Sequence, residues 1–291
     1  MAVWNQITRR ITRLVSDPPP NHLFELSEGG IAFAQGQQTG FEAFEPGTLV
    51  ASPTEDNMLR ADLVSSAINR ATPANGSGKK RRQAAVILPD YSARVSVLDF
   101  DSFPSAAEEQ SALIRFRVKK TVPFDIDAAA VGFHAQPHTA GKKTEVVAVT
   151  VVAEVIARYE AIFRTAGFHP GVVTTSALAA LNLYRGEGIA VFAKQTGRAL
   201  TVAVLAKNTV KLFRCVALEE GSDEEILAVL HPTLAYVEDE LGAPVDRLIL
   251  CGVPQHIADG LRCQAEPLRS RFGMAGPFNA GLLGYLESVE G

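Results

Sequence analysis

Two hydrophobic rhythms run through this chain, period two and period 3.6, and they recur in the same order in its two halves. From His22 the pattern is β: HLFEL and IAFAQ flank Ser27-Glu28-Gly29-Gly30, and glycines between alternating runs predict a tight hairpin. A third strand is expected at 44–50 and a helix over 59–68, with Leu59, Leu63 and Ile68 on one side. The run AAVILP is a buried strand. In the second half GIAVFA and ALTVAVL read as strands, and Lys207-Asn208 turns into TVKLFRCVAL. A long helix is expected from Ser222, whose hydroxyl forms a capping box with Glu225. Ile226, Leu230, Leu234, Val237 and Leu241 line its buried face, and Pro232 should kink or divide it. A strand (RLILCG), a helix over 255–261 and a terminal helix carrying Phe278, Leu282, Tyr285, Leu286 and Val289 complete this half.

Between these series lies the most patterned stretch, residues 88–127. Arg94-Val95-Ser96-Val97 alternates as a strand, and Ser105 with Glu108 reads as a second capping box. Residues 114–119 alternate with period two, yet the cap and the later stop at Pro123 favour a helix. Strands follow at 128–136 and 144–152, the second rich in valine and threonine. Val155, Ile156, Tyr159, Ile162, Phe163 and Ala166 make a helical stripe ended by Gly167. The strand GVVT and a helix over 176–183 close the first half.

Each half thus reads as three strands, a helix, a strand and a helix, a duplication of element order without a detectable sequence repeat. Two such units facing each other across a cleft suggest an α/β, actin-like architecture of two RNase H-like halves, with a small α/β subdomain inserted in the first. The expected boundaries are an N-terminal helix and proline linker at 1–20, a first half at 21–90 plus 167–186, the insertion at 91–166, and a second half at 187–291.

Composition narrows the function classes. A chain of 291 residues, 47% hydrophobic and 21% charged, can bury a sizeable core. A net charge of −4 argues against nucleic acid, which selects a basic field. Cys215, Cys251 and Cys263 form no CxxC pair, as in a reducing compartment, and no run approaches a membrane span. The chain is therefore expected in the cytoplasm. Residues 2–15 form an expected amphipathic helix, with Trp4, Ile7 and Ile11 on its apolar side and Arg9, Arg10 and Arg13 as cationic heads. It suits a membrane surface or a partner; the alternatives are a helix folded back on its own domain or a disordered terminus.

Recognisable chemistry is sparse. Gly76-Ser77-Gly78-Lys79 lacks the first glycine, the Ser/Thr after lysine and the following helix of a phosphate loop. His134 and His138 are four apart, but Pro137 and the strand context spoil a metal pair. No metal site is expected.

LPDYSARVSVLDFDSFP, a charged helix and KKTVPFDIDAA together resemble the type IV pilus assembly protein PilM, most specifically over 84–176. The resemblance implies an actin-like ATPase fold with an inserted subdomain placed as in the division protein FtsA. It implies a cytoplasmic protein at the inner face of a bacterial inner membrane, holding the short cytoplasmic tail of a bitopic PilN-like partner. The insertion, through Arg115 and Arg117, and the N-terminal helix are the expected contact surfaces.

Actin-like ATPases place an acidic-apolar-glycine turn in each half. Here the first reads Glu25-Leu26-Ser27, and residues 188–208 contain no Asp or Glu; Lys194, Gln195, Thr196, Gly197 and Arg198 stand there instead. The adenosine-side segment Leu250-Cys251-Gly252-Val253 keeps one glycine. Glu25, Ser27, Lys194, Gly197 and Gly252 are the candidate cofactor-site residues. Mg²⁺ needs hard carboxylate ligands, and phosphoryl transfer rests on positioning and charge neutralisation. A non-catalytic adaptor is therefore expected, with no cofactor, and ATP with Mg²⁺ is disfavoured. The alternatives are an active actin-superfamily ATPase or sugar kinase, and an FtsA-like membrane-tethered filament protein.

Overall fold

The structure, a computed structural model, describes residues 20–36, 38–72, 82–137, 143–261 and 263–290. The expected helix with Trp4, Ile7 and Ile11, the loop with Gly76–Lys79, and His138 lie outside the described residues.

Two five-stranded sheets share one topology. The first has the order β3-β2-β1-β4-β8, built from β1 (His22–Ser27), β2 (Gly30–Gln35), β3 (Gln38–Ala43), β4 (Arg82–Leu88) and β8 (Phe168–Thr175). The second has the order β11-β10-β9-β12-β13, from β9 (Ile189–Thr196), β10 (Ala199–Ala206), β11 (Thr209–Ala217), β12 (Arg247–Cys251) and β13 (Gln264–Pro267). In each, three antiparallel strands are followed by two parallel ones. The third strand lies at 38–43, not at 44–50. Beyond it the Phe44 N–H still donates to the Gly29 carbonyl at 3.0 Å, and the chain then leaves the sheet, with Leu49 and Met58 forming an isolated bridge.

Helices α1 (Ala61–Ala71) and α3 (Ala153–Thr165) cover the outer face of the first sheet through Val64, Ile68, Tyr159 and Phe163. Helix α5 (Asp223–Leu241) covers the second through Ile226, Leu230 and Val237. Its Ser222–Glu225 capping box is present and Gly242, at φ +67°, ends it. Pro232 neither divides nor ends α5; it sits on the exposed side, while Arg214 from β11 donates to the Val229 carbonyl and to Thr233 Oγ1 at 2.6 Å. That bond braces the turn where proline removes a ladder donor.

The inner faces meet around α4 (Ser176–Ala180) and α6 (Ala280–Glu290), and one apolar core joins Leu23, Ile87, Phe192, Ile249, Leu282 and Leu286 from both halves. α6 lies directly on the α4 backbone: a Cβ added at Gly281 would come within 2.8 Å of Ser176 Cα, and one at Gly284 would run into the Ala179 carbonyl. Segments 255–260 and 181–183 are 3-10 turns rather than α-helix.

The insertion is a three-stranded sheet of order β5-β7-β6, from β5 (Arg94–Phe100), β6 (Ala129–Ala135) and β7 (Thr144–Val152), backed by α2 (Ala107–Val118). α2 begins one residue later than its expected capping box. Ala106 is the N-cap and makes no side-chain bond, so the Ser105–Glu108 pair is out of register. α3, which the expected boundary at 166 assigned to the insertion, packs in the first-half core.

The insertion also reaches the second half. The Gln136 amide donates to the Val210 carbonyl at 2.8 Å and accepts from its N–H at 2.7 Å, continuing the β11 edge as backbone would. Lys211 pairs with Glu145 beside it at 2.5 Å.

Candidate functional site

The two hairpin turns face each other at one end of the inner core. Ser27 pairs with Gly30 in the first, and Thr196 with Ala199 in the second. Counting back two residues along the inner strand gives Glu25 in one half and Lys194 in the other. Glu25 pairs with Ile87 on the parallel neighbour β4, and Lys194 with Cys251 on β12. Lys194 is thus the positional equivalent of Glu25. The expectation of Lys194 in a cationic turn is corrected: it lies inside β9, 1% exposed, and only Gly197 and Arg198 form the turn. Gly197 has φ +57°, the glycine place in a two-residue hairpin. Arg198 turns away and donates to the Leu218 carbonyl at 2.9 Å.

The buried charges form one connected cluster. Lys194 Nζ donates to Asp90 Oδ2 at 3.1 Å and to Thr196 Oγ1 at 2.6 Å, and Thr196 in turn donates to the Pro277 carbonyl at 2.9 Å. Asp90 Oδ1 accepts from the Ala177 N–H at 2.6 Å. Glu25 Oε1 accepts from Ser176 Oγ, and Oε2 from the Leu282 N–H at 2.7 Å. Thus α4 and α6 each spend a first-turn amide, unpaired within its own helix, on one of the carboxylates.

Burial pushes the Glu25 carboxyl above its ordinary range, against the pull of Lys194, Ser176 and the Leu282 amide. Burial alone would lower the Lys194 ammonium, but Asp90 and then Glu25 outweigh it and hold it above its usual value. Cys251, beside Lys194, is pushed up to about 12 by burial, as is Cys215, so neither thiol is a ready nucleophile at neutral pH.

The remaining candidates are also engaged locally. Ser27 Oγ donates back to the Gly30 carbonyl at 3.0 Å. A Cβ on Gly252 would meet Pro277 at 2.8 Å, and one on Gly29 would meet Phe278 at 2.9 Å. The 277–278 segment therefore lies across the cleft from the β12 end to the first hairpin, and Phe278 stacks on Phe41 of β3 with centroids 5.6 Å apart. Glu28 Oε2 stands 3.2 Å from where a Gly197 Cβ would be, so the hairpins nearly touch. The space between Glu25, Asp90, Ser176, Lys194 and Thr196 is about 20 Å³, room for an ordered water or so. Among the described residues no group of three or more His, Cys, Asp or Glu is arranged to hold a metal.

Glu25, Ser27, Lys194, Gly197 and Gly252 therefore come together at one cleft. Sequence reasoning missed Asp90 and Ser176. Their signal was positional: each stands within two residues of the end of a parallel strand, β4 or β8, at the carboxyl edge where open α/β sheets place ligands.

Arg115 and Arg117 lie far from this cluster in the fold, on α2. Arg115 donates to the Ile126 and Ala129 carbonyls at 2.8 and 3.0 Å, so its expected contact role is corrected: it braces the insertion from within. Arg117 is exposed, with its guanidinium 5.1 Å from the Phe100 ring centre. Phe116, between them, is 66% exposed.

The duplicated five-stranded sheets, the crossed α4 and α6 and the inter-half cleft define an actin-like ATPase fold. Solved structures give its particular form. A chain of the PilM–PilN type IV pilus biogenesis complex is 15% identical, with 94% of this chain covering 100% of that one at a TM-score of 0.70. The cytoplasmic domain of EpsL, an inner membrane component of the type II secretion system of Vibrio cholerae, is 15% identical over 93% of this chain and 94% of that one, at a TM-score of 0.57. The fold is PilM-like. No family model matches the chain, and no curated protein does. No described helix is long and apolar enough to cross a membrane.

Proposed function

We propose that this chain is a non-catalytic, actin-like adaptor of a type IV pilus or related secretion platform. In this reading it works at the cytoplasmic face of the inner membrane and binds the cytoplasmic tail of a bitopic, PilN-like partner. The observation that carries the reading is Lys194. It stands at the second-half equivalent of Glu25 and spends its charge on Asp90. A magnesium nucleotide does not fit these residues. Both carboxylates already have internal donors, Pro277 and Phe278 overlie the glycines that would approach the ligand, and a metal would meet an ammonium. Mg²⁺ is held through carboxylates beside phosphate, and here no such pair is free. The likeness to a chain from a PilM–PilN complex supports the pilus assignment.

The insertion is the proposed partner surface, with Phe116 and Arg117 exposed on α2 as its apolar and cationic contacts. Calorimetric titration of the full chain with ATP and Mg²⁺ is expected to give no heat of binding at micromolar concentrations. Micromolar affinity with Mg²⁺-dependent turnover that Glu25→Gln abolishes would restore the ATPase reading. Capture by an immobilised cytoplasmic peptide of a co-encoded bitopic membrane protein, weakened by Phe116→Asp, is the expected positive result. No capture by any such peptide would remove the adaptor reading.

A further inference from the structure

The bonds around Lys194 cross between the halves, and that gives the cluster a mechanical meaning. Lys194 belongs to the second half and Asp90 to the first. Leu282 belongs to the second half and Glu25 to the first. Phe278 of the second half covers Gly29 and stacks on Phe41 of the first. Both members of the central ion pair are nearly solvent-free, with side chains 1% and 3% exposed, so its attraction is little screened.

Removing a buried partner leaves the other charge unpaired, which is costly wherever water cannot reach. Opening the cleft by hinge motion would let water reach Asp90 and Glu25. The ammonium is what makes the closed arrangement tolerable to two buried carboxylates.

We propose that Lys194 is a tethered resident cation that latches the two halves into one closed arrangement, in place of an opening and closing cycle driven by a ligand. The latch works from the strand itself. Thr196, two residues along β9 on the same face, orients the ammonium from below and ties it to Pro277, so the covering 277–278 segment is held by the same group. The latch concerns the same cleft as the adaptor reading but does not require a partner.

Hydrogen exchange on the full chain without nucleotide tests it. In Lys194→Ala the Ala177 and Leu282 amides, which donate to Asp90 and Glu25, are expected to exchange at least about tenfold faster, while β10–β11 amides stay within about twofold. Adding n-propylammonium, which replaces the missing stem and head, is expected to restore slow exchange. Unchanged exchange at the two amides overturns the proposal. So does equal acceleration in β10–β11, which marks global destabilisation, and so does local acceleration that the amine does not reverse. Should Lys194→Ala not accumulate folded, Lys194→Met keeps the stem volume without the charge. Local acceleration in that variant supports the latch, and wild-type exchange overturns it. These outcomes bear on the latch alone, whereas ATP titration of the unaltered chain bears on the adaptor reading.

Discussion

The two halves share a strand order, a hairpin and a pair of crossed helices, and they differ in the sign of one buried charge. The first half presents Glu25 to the cleft and the second presents Lys194, at the same distance from the turn on strands with the same neighbours. In a duplicated fold, topology fixes where a side chain points, and chemistry at that place is free to differ. Two carboxylates there would repel each other and need a cation. One carboxylate and one ammonium, with Asp90 beside them, need nothing from solution. In the reading proposed above, this single position separates a cleft that recruits a metal from one that carries its own cation.

The strongest way to break this comparison is to erase the ammonium. Lys194→Met should destabilise the chain by about 3–5 kcal/mol, because it strands the buried Asp90 carboxylate. Chemical denaturation measures this, and the double variant Asp90→Asn/Lys194→Met should recover most of the loss. A double variant as unstable as the single one would show that packing, not charge, decides the site.

Next in size is the contact that makes the halves one body. Gly284→Ala should cost about 1–3 kcal/mol, since its methyl runs into the Ala179 carbonyl and α6 must shift off α4. Gly132→Ala, on β6 with open space around it, is the control and should be nearly neutral by the same assay. Smaller again is the tie from the insertion to β11. Gln136→Ala removes two hydrogen bonds to Val210 and should cost about 1–2 kcal/mol, with faster exchange confined to β6 and β11. An equal loss from Gly132→Ala would undo the argument that close backbone approach joins the halves.

How much of this was legible in the sequence varies with the kind of constraint. The β7 strand, Thr144–Val152, and the Ser222–Glu225 box were readable because a hydrophobic period and a local hydrogen bond specify them. β3 was displaced toward the C-terminus in the sequence reading, because its edge position leaves an exposed, weakly patterned run. β13 was not foreseen: QAEP carries no apolar run, and its parallel pairing to β12 is entirely non-local. For the cleft, the missing second acid was legible and the role of its replacement was not. Lysine near a glycine turn reads as solvated, and only the strand register puts it opposite Asp90. The 277–278 cover was invisible for the same reason, since Phe278 contacts Gly29 and Phe41 at the opposite end of the sequence.

The smallest effect sharpens the comparison at the helices that follow each third strand. α5 in the second half opens on a capping box, while α1 in the first opens at Arg60 with no side-chain bond. Ser222→Ala should lose about 1 kcal/mol in the same denaturation assay. The Glu225 carboxylate accepts from the backbone N–H groups of Glu219, Glu220, Gly221 and Ser222, and these bonds, that from Glu219 foremost, hold it below the usual carboxylate range. A depressed carboxylate stabilises above the pKa of the unfolded chain and loses that contribution as pH falls through its folded value. Stability should therefore decline on acidification more steeply in the wild type than in Glu225→Gln, which does not titrate and whose amide oxygen keeps the bonds from Glu220, Gly221 and Ser222 while its NH2 group loses the one from Glu219. Identical acid limbs in the two proteins would mean that the cap acts through geometry alone, and that the halves differ in charge only at the cleft.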